Sequence, residues 1–251
     1  MKTTHTLKNL SLIIIMFLCH FQAKAQISSE FYGITSSSGE QKLFRTDSIG
    51  QNTETVMEFK DYYGENGTAG LVDNGSGRMF GLTVDGGTGN LAVGGLYEFQ
   101  VLSDEFNLLV EFDTVPGDYP RGKLVLNNTD LYGVTSQGGA NNVGVLFVYN
   151  YVSGVYTKLH DFAATTGGVP ESGMILNNQG NLMGMTYYGG ANNQGVIYEY
   201  NLTTNTYQVI HSFDGANGAN PVGRLLSASN GKYYGLTFNG GTSNNGVAFS
   251  L

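Results

Sequence analysis

The stretch Leu131-Tyr132-Gly133-Val134-Thr135 has four near copies elsewhere in the chain. They are Phe31-Tyr32-Gly33-Ile34-Thr35, Met79-Phe80-Gly81-Leu82-Thr83, Leu182-Met183-Gly184-Met185-Thr186 and Tyr233-Tyr234-Gly235-Leu236-Thr237. Their glycines stand 48, 52, 51 and 51 residues apart. Five matches at one period mark an internal repeat, and a repeat of this length decides the architecture before any single residue does.

Further parts hold fixed places around each anchor. A glycine pair follows five and six residues later, at Gly86-Gly87, Gly138-Gly139, Gly189-Gly190 and Gly240-Gly241, with Ser38-Gly39 in the first copy. An alternating apolar run comes next, as in Leu96-Tyr97-Glu98-Phe99 and Ile197-Tyr198-Glu199-Tyr200. A third run ends on phenylalanine at Phe59, Phe112, Phe162 and Phe213. A fourth short run, such as Lys123 to Leu126, leads back to the next anchor through Asn- and Gly-rich turns. Four short runs per unit, rich in aromatic and β-branched residues, predict four strands, and no gap carries a 3.6-residue apolar period. A four-stranded unit of about 51 residues predicts the blade of a β-propeller. The expected fold is therefore all-β, with strands counted as three, four, four, four and three: about 4.5 blades. Two readings stay open, a stretch of a longer propeller and an open five-bladed ring.

Composition agrees. Glycine supplies 37 of 251 residues, 13% are charged, and 41% are hydrophobic. That apolar content argues against disorder. Only four prolines and no three-residue glycine period exclude collagen.

The pattern of apolar residue, Tyr, Gly, any residue, Thr, then a glycine pair and a Gly-led apolar run resembles the GloVer tandem repeats of bacterial surface proteins, over nearly the whole chain after residue 25. The unit also resembles a kelch blade in its double glycine and in the turn Asn201 to Thr206 before Tyr207, although kelch blades usually carry a tryptophan that this chain lacks. The resemblance implies a propeller at or outside the cell surface.

The first 25 residues agree with that address. Lys2 and Lys8 precede an apolar run from Leu10 to Phe21, and Ala23-Lys24-Ala25 offers small residues for a signal peptidase. The expected domains are a secretory signal over 1–25, cleaved between Ala25 and Gln26, and repeats over 26–251. The single cysteine, Cys19, lies inside the signal. Removing the signal takes three lysines and no acid, leaving nine cations against 20 acids, a net charge of −11. Such a surface disfavours nucleic acid, and no later apolar stretch is long enough for a membrane span.

Catalytic signals are weak. His160 and His211 share a repeat slot filled elsewhere by Met57 and Val110, which predicts packing. Glu58, Glu111 and Asp161 recur before the strand-four phenylalanine, and repetition points to a structural use. Asp73-Asn74-Gly75-Ser76-Gly77 lacks the spaced acids of a calcium loop and predicts a hairpin turn. No metal or cofactor motif stands out. The loops after strands two and four emerge on one face of a propeller, and loops on a rigid scaffold commonly bind ligands. They carry Asp85, Tyr62, Tyr63, Tyr119, Arg121, Tyr187, Tyr188 and Arg224. Tyrosine beside Asn and Gly suits a glycan or a protein partner. The expected function is a non-catalytic binding or scaffold propeller. A carbohydrate-active hydrolase or lyase and a purely structural surface repeat are the alternatives.

Overall fold

The computed structural model describes residues 31–34, 41–59, 65–67, 70–86, 93–113 and 116–251. The expected signal segment, its Ala25–Gln26 junction, and Tyr62 and Tyr63 lie outside the described residues. Every sheet is antiparallel and runs in chain order. Sheet one holds β1 (Phe31–Ile34), β2 (Gln41–Thr46) and β3 (Glu54–Phe59). In sheet two, β4 (Glu65–Gly67) and β5 (Val72–Asp73) both pair with β6 (Arg78–Asp85), followed by β7 (Gly95–Gln100) and β8 (Glu105–Glu111). Sheet three is β9 (Asp118–Asn127), β10 (Asp130–Gln137), β11 (Val145–Asn150) and β12 (Val155–Asp161). Sheet four is β13 (Ile175–Leu176), β14 (Leu182–Thr186), β15 (Val196–Asn201) and β16 (Thr206–Ser212). Sheet five is β17 (Ala219–Ser227), β18 (Tyr233–Asn239) and β19 (Ala248–Ser250). With β4 and β5 taken as one interrupted strand, the sheets follow the repeat strand for strand. Among the described residues no helix is long and apolar enough to cross a membrane.

The core lies between sheets, not within any one of them. One cluster joins Phe80, Leu82 and Phe112 of sheet two to Leu124, Phe147 and Tyr149 of sheet three. The next joins Tyr132, Val134 and Phe162 to Met174, Tyr198 and Tyr200. A third joins Met183, Met185 and Phe213 to Leu225 and Phe249. A fourth packs Tyr32, Ile34 and Leu43 against Tyr97 and Phe99. Sheets two, three and four are thus each half of two cores, as stacked repeats require.

The same atoms recur at each junction. The phenylalanine closing strand four meets the strand-three ring of the next sheet: Phe112 with Phe147, Phe162 with Tyr198, and Phe213 with Phe249, each pair 5.2 Å between centroids. That strand-three ring lies over the anchor glycine of its own sheet. A Cβ on Gly33, Gly81, Gly133, Gly184 or Gly235 would fall closer than 3.0 Å to Phe44, Tyr97, Phe147, Tyr198 or Phe249, nearer than real side chains come. The anchor threonine solves a polar problem beside it. Thr83, Thr135, Thr186 and Thr237 are buried. Their hydroxyls accept from the backbone N–H of Gly95, Val145, Val196 and Val247. The last three also donate to the carbonyls of Gln137, Tyr188 and Asn239. A buried hydroxyl is costly only when it lacks partners, and these have them.

Sheet five differs on its outer face. Leu236 occupies the slot of Val134 and Met185, yet it is 58% exposed where Met185 is 1% exposed. Leu226, Tyr234 and Phe238 share that exposed face. Met185→Ala is therefore expected to cost about 2–5 kcal/mol by opening a cavity. Leu236→Ala, in the same repeat slot, is expected to stay within about 0.5 kcal/mol, as surface changes do. Equal losses in urea denaturation would show that the slot, and not its burial, sets the effect.

Candidate functional site

The candidate site grows from the inner strand of each sheet. In three successive repeats the residue before a proline has left-handed backbone: Tyr119 at φ 54°, Val169 at φ 56° and Asn220 at φ 55°. A β-branched valine rarely adopts that conformation, and such residues persist only where their surroundings hold them. Here each donates its N–H to a carbonyl in the strand two–three loop of the preceding sheet. Tyr119 bonds Val93 at 3.0 Å, Val169 bonds Val143 at 2.8 Å, and Asn220 bonds Gln194 at 2.8 Å. Pro170 and Pro221 then stand where a Cβ on Gly144 or Gly195 of that preceding loop would sit. The glycine after the loop, the pre-proline residue and the proline form one latch between sheets.

Immediately past the latch the inner strand bulges. In sheet three the register runs from Val125 opposite Tyr132 to Arg121 opposite Val134, so Gly122, Lys123 and Leu124 share the space facing Gly133. Sheet five repeats this, with Gly223, Arg224 and Leu225 opposite Gly235. Gly122 and Gly223 take φ of 70° and 71°, a conformation glycine allows at no steric cost. Leu124, Met174 and Leu225 are buried against the preceding sheet, which fixes the bulge from behind. Bulges re-aim side chains and are frequent beside functional sites. Sheets three and four touch here backbone to backbone, since a Cβ on Gly122 or Gly173 would strike the other strand.

The bulges of sheets three and five and the stretch just before β13 line an open cleft of about 360 Å³, formed by Arg121, Gly122, Lys123, Glu171, Ser172, Gly173, Gly223 and Arg224. Arg121 Nε lies 3.6 Å from Glu171 and 3.4 Å from the Ser136 hydroxyl. Lys123 and Arg224 make no ion pair among the described residues, and the stem of Lys123 runs beside Gly70 of sheet two. Ser172 is 6% exposed, and its hydroxyl has no hydrogen-bond partner among the described residues.

The structure brings Arg121 and Arg224 together, as two of the expected site residues, and leaves the others elsewhere. Tyr119 is half-buried in the latch, its carbonyl accepting from Ser136. Tyr187 and Tyr188 follow the sheet-four anchor, their rings edge-on at 4.6 Å, and the Tyr187 carbonyl accepts from Asn220 Nδ2. Asp85 ends β6 opposite Glu65. Sequence reasoning missed Lys123, Glu171 and Ser172. The signal available for them was their shared place after the recurring proline: Arg-Gly-Lys, Glu-Ser-Gly and Val-Gly-Arg at 121–123, 171–173 and 222–224.

Other candidates serve the scaffold. Asp161 accepts the Ala140 N–H at 2.8 Å and pairs with Lys158 at 2.9 Å. Burial pushes its carboxyl up, but that N–H and Lys158 outweigh it and hold the group below the usual carboxylate range. Glu58 pairs with Lys42 at 3.1 Å. Asp73 and Asn74 accept backbone N–H groups of Gly75, Ser76 and Arg78, so this stretch is the turn its sequence predicts. His160 stacks on Tyr207 of the next sheet, 4.0 Å between centroids and 6° from parallel, with its Nε2 buried and unpartnered.

Burial holds the His160 pKa below its ordinary value, and neighbouring Asp161 opposes that only in part. The folded protein therefore resists protonation that the unfolded chain, near pKa 6.5, accepts. Stability is expected to fall as pH drops below about 6.5, until the folded imidazole is also charged. His160→Val, the residue of a sister repeat, is expected to flatten this part of the stability–pH curve measured by urea denaturation between pH 7 and 5. An unchanged slope would place the imidazole in water.

Comparisons with known proteins agree with this architecture. A family model described as the Gloeobacter/Verrucomicrobia repeat matches residues 21–249. No curated protein sequence matches the chain. Among solved structures, the chain is similar to the GH74 enzyme of Niastella koreensis, with TM-score 0.60 and 17% identity, over 88% of this chain and 34% of that one. TolB of Acinetobacter baumannii gives 0.57 and 11%, over 88% and 48%. The periplasmic gluconolactonase of Pseudomonas aeruginosa gives 0.55 and 16%, over 89% and 67%. The chain spans about half the length of TolB and a third of the GH74 enzyme. At these identities the likeness shows the fold alone, that of a β-propeller.

Proposed function

The chain belongs to the Gloeobacter/Verrucomicrobia repeat family, and from that premise we propose that it is a secreted or cell-surface binding module. In this reading residues 1–25 are a signal removed before Gln26, and the kelch-like repeats over 26–251 hold a ligand without transforming it. One observation carries the binding reading. Positions that repeat from sheet to sheet are spent on packing, turns and latches, whereas the residues after each latch are Arg-Gly-Lys, Glu-Ser-Gly and Val-Gly-Arg, and all of them but Val222 converge on one cleft. A rigid scaffold with variable residues at a shared concavity is the arrangement of a binding site.

A second reading rests on Asp118. It stands on the loop side at the start of β9 and is buried, with Oδ1 unpartnered. Burial first, and Asp113 second, raise its pKa, favouring the protonated carboxyl a hydrolase would use as a general acid. The sister repeats have Gly168 and Ala219 in its place.

Two measurements test the address and separate binding from catalysis. N-terminal sequencing of the exported protein is expected to begin at Gln26; retention of Met1 in a cytoplasmic fraction would remove the address. On a glycan and peptide array, Arg224→Gln is expected to cut the bound signal at least about tenfold with an unchanged melting temperature, a loss of about 1.4 kcal/mol. Turnover of an arrayed glycan that Asp118→Asn abolishes would replace the binding reading by the second.

A further inference from the structure

Building on the binding reading, we propose that the cleft between sheets three, four and five takes the oxyanion of a small polar ligand, such as the carboxylate of an acidic sugar. The charge balance comes first. The chain is acidic, with net charge −8, and of its described cations outside the cleft all but exposed Lys232 are spent on acids: Lys42 on Glu58, Arg45 on Glu54 and Asp104, Arg78 on Glu98, and Lys158 on Asp161. At the cleft that economy fails. Three cations meet one carboxylate, and Lys123 and Arg224 have no acid partner among the described residues. Gathering like charges on a few neighbouring residues costs free energy that an anion would offset.

Ser172 supplies an independent observation. Its hydroxyl is buried at the cleft wall without a partner, while the corresponding slots of sheets three and five hold Gly122 and Gly223. Packing therefore asks for nothing larger than hydrogen there. A hydroxyl in that slot, left unsatisfied by the protein, suits a ligand oxygen or its bridging water.

Geometry sets the class of ligand. An open cleft of about 360 Å³ has the capacity for one or two sugar rings and not for an extended chain. Guanidinium groups match planar carboxylates and phosphates through paired N–H donors, and the lysine adds a compact charge. The bulges that carry these groups are held by buried Leu124 and Leu225 and by the latches, so little order is left for the ligand to impose.

The test is titration calorimetry of the full chain with galacturonate, with galactose as the neutral match, and with inorganic phosphate. Galacturonate is expected to bind at least about tenfold more tightly than galactose and to weaken several-fold between 50 and 300 mM salt, as screening requires. The double substitution Lys123→Gln and Arg224→Gln is expected to lower that affinity at least about tenfold. Ser172→Gly, which restores the sister residue, is expected to lower it about two- to fivefold. Both variants should melt with the parent, and Gln179→Ser on an exposed turn is the control. Phosphate binding that the double substitution also removes supports an oxyanion site open to either source, and its absence beside galacturonate binding assigns the carboxylate. Galactose binding that survives the double substitution overturns the oxyanion inference but leaves the binding module standing. Failure of all three probes, with no ligand on the array, overturns both.

Discussion

Everything in this fold hangs on a missing side chain. Each anchor glycine leaves a hollow in the middle of its sheet, and the strand-three ring of that sheet fills the hollow. Seated so low, the ring turns its other face to the preceding sheet, where the strand-four phenylalanine meets it. Burying aromatic surface of this extent dominates core energetics. The tilted and edge-on ring contacts between sheets therefore depend on one residue in each sheet having no Cβ.

The same hollow admits the bulge. Leu124 and Met174 reach to about 3.0 Å from the Cβ that Gly133 and Gly184 lack. The bulge lets the inner strand carry more residues than its partner can pair, and the surplus is what faces the cleft. Latch, bulge and ring form one causal line. The glycine makes room, the buried leucine or methionine anchors the bulge, and the latch holds its start against the preceding sheet. The positive groups at 121, 123 and 224 stand at the end of that line.

Much of this was legible in residues alone, because the repeat appears five times and each copy checks the others. The strand count and the packing use of His160 came from comparing slots, and that comparison works where a position does the same job in every sheet. The cleft escaped for the same reason in reverse. Lys123, Glu171 and Ser172 fall in three different slots after the proline, and neither Glu171 nor Ser172 matches its sister residues, so a search for likeness passes over them. Their convergence depends on a register shift that no spacing in the sequence announces. The backbone of Tyr119 is engaged across sheets, a role that its side chain and spacing do not announce.

The latch is made almost wholly of backbone. Its hydrogen bond joins an N–H to a carbonyl, its proline needs only a ring, and its glycine needs only room. Tyr, Val and Asn all serve at the residue that bridges the sheets. Duplication of a repeat would therefore copy the joint intact, whatever the three residues that follow it become. Inheritance of the architecture and diversification of the surface are thereby uncoupled. A gene lineage built on this unit can lengthen by whole repeats and change the chemistry of its cleft by substitutions at three codons per repeat, without reopening the question of how the chain folds.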